Sequence, residues 1–200
     1  MGRAIELVLA AILVVVSLPL TLPILIALLI ASPGNPFFSQ TRIGHLGEPF
    51  NLLKFRTMCP GAGGSSLTVG DDGRVTAIGR FLRRFKLDEI PQLWNILCGQ
   101  MSFIGPRPET EEFVRGYTTE QRQILRYKPG LTDPASLKYR YEAELLGSET
   151  DPQAAYRERI LPDKIAVSLE YQRRRTLASD LLILGKTVIA VFQSDSALTR

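Results

Sequence analysis

Residues Leu7 to Ala31 form an uncharged, strongly apolar stretch of about 25 residues, and Pro19 and Pro23 lie in its middle. A helix rises ~1.5 Å per residue, so an unbroken helix of this length would cross the ~30 Å hydrocarbon core of a bilayer. Proline lacks the N–H that closes a helical turn. Pro19 leaves the carbonyl of Val15 unbonded and Pro23 leaves that of Pro19, so two adjacent turns lose backbone bonds where water is scarce. A bend is expected there, with two arms of roughly 12 residues, each about 18 Å long, entering one leaflet and returning. Ser17 and Thr21 flank the break with hydroxyls that satisfy freed backbone groups. The break is assigned to Ser17, Pro19 and Pro23.

Two other readings compete. A straight spanning helix also tolerates proline. With Arg3 before the stretch and Arg42, Lys54 and Arg56 after it, however, spanning would leave cations on both sides of the membrane, against the positive-inside bias. A re-entrant hairpin keeps both ends on the cytoplasmic face. A cleaved signal peptide fits poorly, because the apolar part is too long and Ala-x-Ala is missing where cleavage would fall.

The remaining ~160 residues suffice for one compact domain with its own core. The division expected is a membrane hairpin over 1–36 and a cytosolic catalytic domain over 37–200. The net charge of +4 favours anionic lipid and phosphorylated substrates over nucleic acid once an apolar anchor is present. Cys59 and Cys98 are the only cysteines, which excludes a disulfide framework and a Cys-x-x-Cys metal site. His45 is the only histidine and is expected in a loop, which removes Ser-His-Asp and Cys-His chemistry unless it serves alone.

After a turn-rich exit at Ser32 to Pro36, Phe37–Gln40 and Phe50–Met58 read as short strands of a hairpin around a Gly44–Gly47 turn. On a strand, Lys54 and Arg56 share one face. Pro60 to Arg74 has loop composition, and its Asp71-Asp72 pair reads as turn chemistry before metal chemistry. From Thr76 the period is helical: Ile78, Phe81, Leu82 and Phe85 make an apolar stripe while Arg80, Arg83, Arg84 and Lys86 load the rest. Such a helix suits either a core or anionic headgroups. A second stripe runs through Ile90, Leu93, Trp94 and Leu97, with Pro91 in the first turn and Asp88-Glu89 just ahead of it, where capping alone would explain one carboxylate. The last apolar segment, from Asp180 through Phe192 behind Arg173-Arg174-Arg175, is expected as an amphipathic helix on the membrane surface. The fold class expected is α+β, mostly helical: a re-entrant helix-break-helix hairpin, a small domain with membrane-surface helices, and a short β-hairpin.

Leu87-Asp88-Glu89-Ile90-Pro91-Gln92-Leu93-Trp94-Asn95 followed by Gly99 through Pro106-Arg107-Pro108 resembles the bacterial sugar transferases, the monotopic phosphoglycosyl transferases that start glycan assembly on polyprenyl phosphate. Ser32-Pro33-Gly34, Gln40-x-Arg42-x-Gly44, Lys54-Phe55-Arg56-Thr57-Met58 and Lys128-Pro129-Gly130-Leu131-Thr132 support the resemblance, which covers nearly the whole chain. It implies that Asp88 is the nucleophile, taking a phosphosugar from a nucleoside diphosphate sugar, a UDP-sugar for preference, before polyprenyl (undecaprenyl) phosphate collects it. It implies that Glu89 assists in catalysis, that Arg107 and Lys54 contact substrate phosphate, and that Arg56 and Asp180 are further candidates. Mg²⁺ is the implied cofactor with Asp88 as its protein ligand. The implied location is the cytoplasmic face of the bacterial inner membrane, in contact with anionic lipid, with the oligomeric state open and a homodimer among the options. Relatives carry Ser-Pro at the break where this chain has Leu18-Pro19, and an aromatic-containing run where it has Asp133-Pro134-Ala135-Ser136. The alternatives are a non-catalytic membrane-surface adaptor and a metal-dependent glycosyltransferase built on Asp71-Asp72.

Overall fold

The computed structural model describes residues 2–31, 34–59, 61, 63 and 67–193. Ser32 and Pro33 of the exit turn, and Pro60, Ala62 and residues 64–66 of the following loop, lie outside the described residues. Helix α1 runs from Arg3 to Ala31 with Pro19 and Pro23 inside it. It is long and apolar enough to cross a membrane, and only 11% of its most apolar window is buried, unlike the core helix of a globular protein. Its burial is confined to the two ends. Leu9, Ala10, Leu13 and Val14 pack into one core cluster, Ile24, Leu25 and Leu28 into another, and no residue from 11 to 23 is buried. The helix runs without interruption through Pro19 and Pro23, where two arms were expected, and just before them the Ser17 hydroxyl donates to the carbonyl of Val14 at 2.9 Å.

The expected hairpin forms with a longer first strand and a shorter second one: β1 is Phe37–Ile43 and β2 is Pro49–Phe55, antiparallel, with Phe38 opposite Lys54 and Arg42 opposite Phe50. The turn between them carries exposed His45. Because β2 stops at Phe55, Arg56 leaves the strand. Its amide donates to Pro36 and its guanidinium lies against Gly34. Helix α2, Ala77–Arg84, starts at Thr76, whose side chain accepts from the Gly79 amide. Gly79 is required there, since a Cβ would fall 2.1 Å from the Thr57 carbonyl oxygen. Of the stripe on α2, Leu82 is buried against Phe55, Ile24 and Leu28, while Phe81 is exposed and stacks on Phe85 instead.

Helix α3, Gln92–Leu97, packs along α1 through Leu93 and Ile96 and leaves Trp94 outside. A two-stranded parallel pair follows, β3 Ser102–Ile104 with β4 Gly130–Thr132. Here two family-like segments meet backbone to backbone: a Cβ on Gly105 would lie 2.3 Å from the Lys128 carbonyl, and one on Gly130 would lie 2.1 Å from the Gly105 nitrogen. The glycines of Gly105-Pro106-Arg107-Pro108 and Lys128-Pro129-Gly130 thus permit one close crossing. Short helices α4 to α7 (Glu111–Arg115, Pro134–Lys138, Glu142–Gly147, Pro152–Ala155), a π-helical turn at Tyr156–Ile160 and α8, Leu161–Arg173, enclose a third cluster around Phe113, Leu146, Tyr156 and Ile165. Helix α9, Leu177–Phe192, begins with a reciprocal Thr176/Ser179 capping box, buries Ile183, and exposes Leu181, Leu182, Val188, Ile189 and Phe192. The fold is mostly helical with two short two-stranded sheets among the described residues.

Candidate active site

Three segments converge. From β2 comes Lys54, from the 3₁₀ turn Leu87–Glu89 come Asp88 and Glu89, and from the loop after β3 comes Arg107. The turn is set by Lys86, which closes α2 in the left-handed region at φ 54°, a conformation costing a non-glycine residue roughly 1–2 kcal/mol. That reversal carries Asp88 and Glu89 back onto β2. Neither carboxylate caps a helix. Capping therefore does not account for them.

Lys54 Nζ lies 2.8 Å from Glu89 Oε1 and 3.3 Å from Asp88 Oδ2, and Arg107 Nη2 donates to the same Glu89 oxygen at 3.0 Å. Burial pushes the Glu89 carboxyl up, but Lys54, Arg107 and Lys86 together outweigh it and hold that carboxyl well below the usual range. Glu89 in turn raises Arg107 above its ordinary value despite burial. Asp88 is treated differently. It is 5% exposed, yet its Oδ1 accepts from no described residue and is still reachable from the surface. One carboxylate is locked between two cations, and its neighbour, paired with Lys54 through Oδ2, keeps its other oxygen open.

Behind Arg107 stands a buried polar network with no counterpart in the sequence expectations. Arg42 donates to the Pro108 carbonyl at 3.2 Å and faces Glu109 at 3.5 Å. The Tyr156 hydroxyl donates to Glu109 at 2.6 Å, and Lys164 donates to Tyr156 at 3.0 Å and to Glu142 at 2.8 Å. Burial, then Glu109, pushes the Tyr156 phenol far up, so it stays a donor. Gln40-x-Arg42-x-Gly44 marked the first of these residues. Glu109 was hidden as the residue after Pro-Arg-Pro, and Tyr156 and Lys164 lie about fifty residues downstream with no motif.

The family model described as bacterial sugar transferase matches residues 1–194. The chain belongs to the bacterial sugar transferase family. Among its relatives are the UDP-glucose:undecaprenyl-phosphate glucose-1-phosphate transferase of Caulobacter vibrioides, 35% identical over 98% of this chain and 71% of the relative, and the exopolysaccharide production protein ExoY of Sinorhizobium fredii, 35% identical over 92% and 82%. The UDP-N-acetylgalactosamine-undecaprenyl-phosphate N-acetylgalactosaminephosphotransferase of Aeromonas hydrophila is 33% identical over 93% of this chain, which spans 42% of that relative.

In this sugar transferase the other candidates lie outside the cluster. Arg56 stands past the end of β2, with its guanidinium against Gly34. Asp180 is fully buried in the first turn of α9, where it accepts from Arg175 Nε at 2.8 Å and from the Tyr171 hydroxyl at 2.8 Å. Asp72 is engaged by the Arg74 guanidinium and amide, as turn chemistry expects, and Asp71 is exposed. Asp133, where the family's aromatic-containing run is replaced, is a buried cap: it accepts from the Ser136 amide at 2.7 Å and from the Ser168 hydroxyl. For a divalent cation, the described residues hold no group of three or more His, Cys, Asp or Glu ligands. The open Asp88 oxygen fits the pattern in which Mg²⁺ takes one or two carboxylates and completes its shell with water and substrate phosphate.

Proposed function

We propose that this chain transfers a sugar phosphate from a UDP-sugar to polyprenyl phosphate, through a covalent intermediate on Asp88. The observation that carries the reading is the open Asp88 Oδ1 beside the Lys54–Glu89–Arg107 ion pairs. The relatives named above for undecaprenyl-phosphate transfer support the substrate class. Asp88 attacks the phosphorus that bears the sugar. An acyl phosphate P–O bond forms, the P–O bond to UMP breaks, and UMP leaves with the electron pair. An oxygen of polyprenyl phosphate then attacks the same phosphorus, the aspartyl P–O bond breaks, and the carboxylate returns with the polyprenyl diphosphate sugar as product. Splitting one displacement into two is the gain of covalent catalysis.

Glu89, ionised by its neighbours, holds Lys54 and Arg107 with their donors facing the reaction. Arg107 is stiffened by a proline on each side and presents a planar fork suited to phosphate oxygens. Mg²⁺, held by Asp88, would supply neutralisation of the diphosphate charge.

We propose further that α1 is re-entrant and the protein monotopic on the cytoplasmic face of the inner membrane, with 1–36 as its membrane segment and 37–200 as its catalytic domain. Both ends of α1 pack against core clusters while residues 15–23 join none, which is what a membrane-inserted bend requires. Impermeant labelling of single cysteines at Gly2 and Asn35 in intact cells should leave both unlabelled. Labelling at position 2 alone would establish a spanning helix.

Turnover with UDP-sugar, magnesium and polyprenyl phosphate should release UMP. Without acceptor, a burst of UMP should accompany a phosphosugar mass on the peptide carrying Asp88. UDP release would instead indicate sugar transfer without phosphate, and no turnover with any donor would favour an adaptor.

A further inference from the structure

A polar cavity of about 440 Å³ lies where the start of α1 meets the start of α9. Ser102 of β3 lines it, and none of Lys54, Asp88, Glu89 and Arg107 does. Three cations and two carboxylates line it: Arg3, Lys128 and Arg175, with Glu6 and Asp180. Both carboxylates are spoken for. Glu6 is buried, accepts from the Ser102 hydroxyl and lies 3.6 Å from Arg3 Nη1, and Asp180 is held by Arg175 and Tyr171. The cations are not all spoken for. Lys128 is half-buried, and its ammonium makes no hydrogen bond or ion pair with a described residue; Arg3 Nη1 is buried with no hydrogen-bond acceptor in the structure. Surplus positive charge on Lys128, with an unfilled Arg3 donor beside it in an open polar hollow, suits an anion.

The rim identifies the anion's setting. Ile5, Val8, Leu177 and Leu181 are all more than half exposed around the starts of α1 and α9. A soluble anion needs no apolar rim, whereas a headgroup phosphate with acyl chains beside it does. We infer that this cavity binds a phosphate group, presented by an anionic phospholipid headgroup, through Lys128 and Arg3. The site shares no lining residue with the Lys54–Asp88–Glu89–Arg107 cluster of the proposed function, and lipid bound there would tie the polar starts of both apolar helices to the membrane surface.

The test uses the full chain in neutral detergent with two probes: phosphatidylglycerol, read as bound lipid by native mass spectrometry, and inorganic phosphate, read by titration calorimetry. Lys128→Met should weaken phosphatidylglycerol binding about tenfold, the size of one lost charge-assisted contact. Lys186→Met, which removes an equal charge from the exposed surface of α9, should change it less than about twofold. Lys128→Arg should restore binding, which separates loss of a contact from loss of folding. A Lys128 dependence seen with inorganic phosphate and not with lipid would assign the cavity to a soluble phosphate. Binding of both probes unchanged in Lys128→Met, or reduced equally in Lys186→Met, would overturn the site.

Discussion

Two buried polar clusters stand back to back across the Pro106-Arg107-Pro108 loop, and they are built to opposite ends. Around Glu109 both carboxylate oxygens have partners: Tyr156 donates to Oε1, and Arg42 faces Oε2. Around Asp88 the account is left incomplete, with Oδ2 near Lys54 and Oδ1 open. In a low-dielectric interior a satisfied network rigidifies its surroundings, while an unsatisfied group is costly unless it has work to do. The Glu109 network is complete among the described residues, and the Asp88 site is not, which is the contrast the proposed chemistry rests on.

Deleting the open group should cost activity without cost to the fold. Asp88→Asn preserves size and leaves the Lys54–Glu89 pair, so thermal unfolding should stay near wild type while turnover falls by about 10³-fold or more, as when nucleophiles are removed. Turnover near wild type in that variant would end the argument from the open oxygen. Glu109→Ala should show the reverse. It leaves Arg42 without its carboxylate and Lys164 with Glu142 alone, and breaking a buried pair from one side costs on the order of 3–5 kcal/mol. Chemical denaturation should register that loss directly. A stable Glu109→Ala protein would show that the network is not what holds the Pro-Arg-Pro loop.

Arg107 touches both sides of the contrast, through Glu89 in front and the loop braced by Arg42 behind. Arg107→Lys keeps the charge and loses the fork. A rate loss of ~10²-fold is expected, equivalent to about 3 kcal/mol for one positioned donor, with stability little changed. Equal kinetics would reduce Arg107 to a counter-ion for Glu89.

The Asp88 half of this comparison was legible in sequence and the Glu109 half was not. Asp88, Glu89, Lys54 and Arg107 stand inside compact, specific motifs, and the structure brings those four together. Lys54 and Arg56 looked equivalent on a strand of period two, but β2 ends between them, a boundary that alternation alone does not fix. Tyr156 and Lys164 reach Glu109 across a π-helical turn, a long-range contact that leaves no local signal. Phe81 and Trp94 lay on regular apolar stripes and were natural core residues, yet both are exposed. A stripe reports amphipathicity, and for a helix beside a membrane the apolar side faces a solvent other than water.

The smallest expected effect tests how firmly Glu89 is locked. Lys54, Arg107 and Lys86 depress its carboxyl in the folded state despite burial, whereas in the unfolded chain it titrates near 4.3. A depressed folded value means that the unfolded state takes up the proton first as pH falls. The ion pairs therefore contribute full stability above the unfolded value, and the contribution is lost as pH drops toward the folded one. Unfolding midpoints of wild type and Glu89→Gln should differ by a constant margin at neutral pH, and that margin should narrow below about pH 4 as the wild-type advantage disappears. A margin that persists unchanged to pH 3 would mean that packing of the side chain, and not its charge, separates the two proteins. The lock on Glu89 would then be steric, and the open oxygen of Asp88 would owe nothing to its neighbour's ionisation.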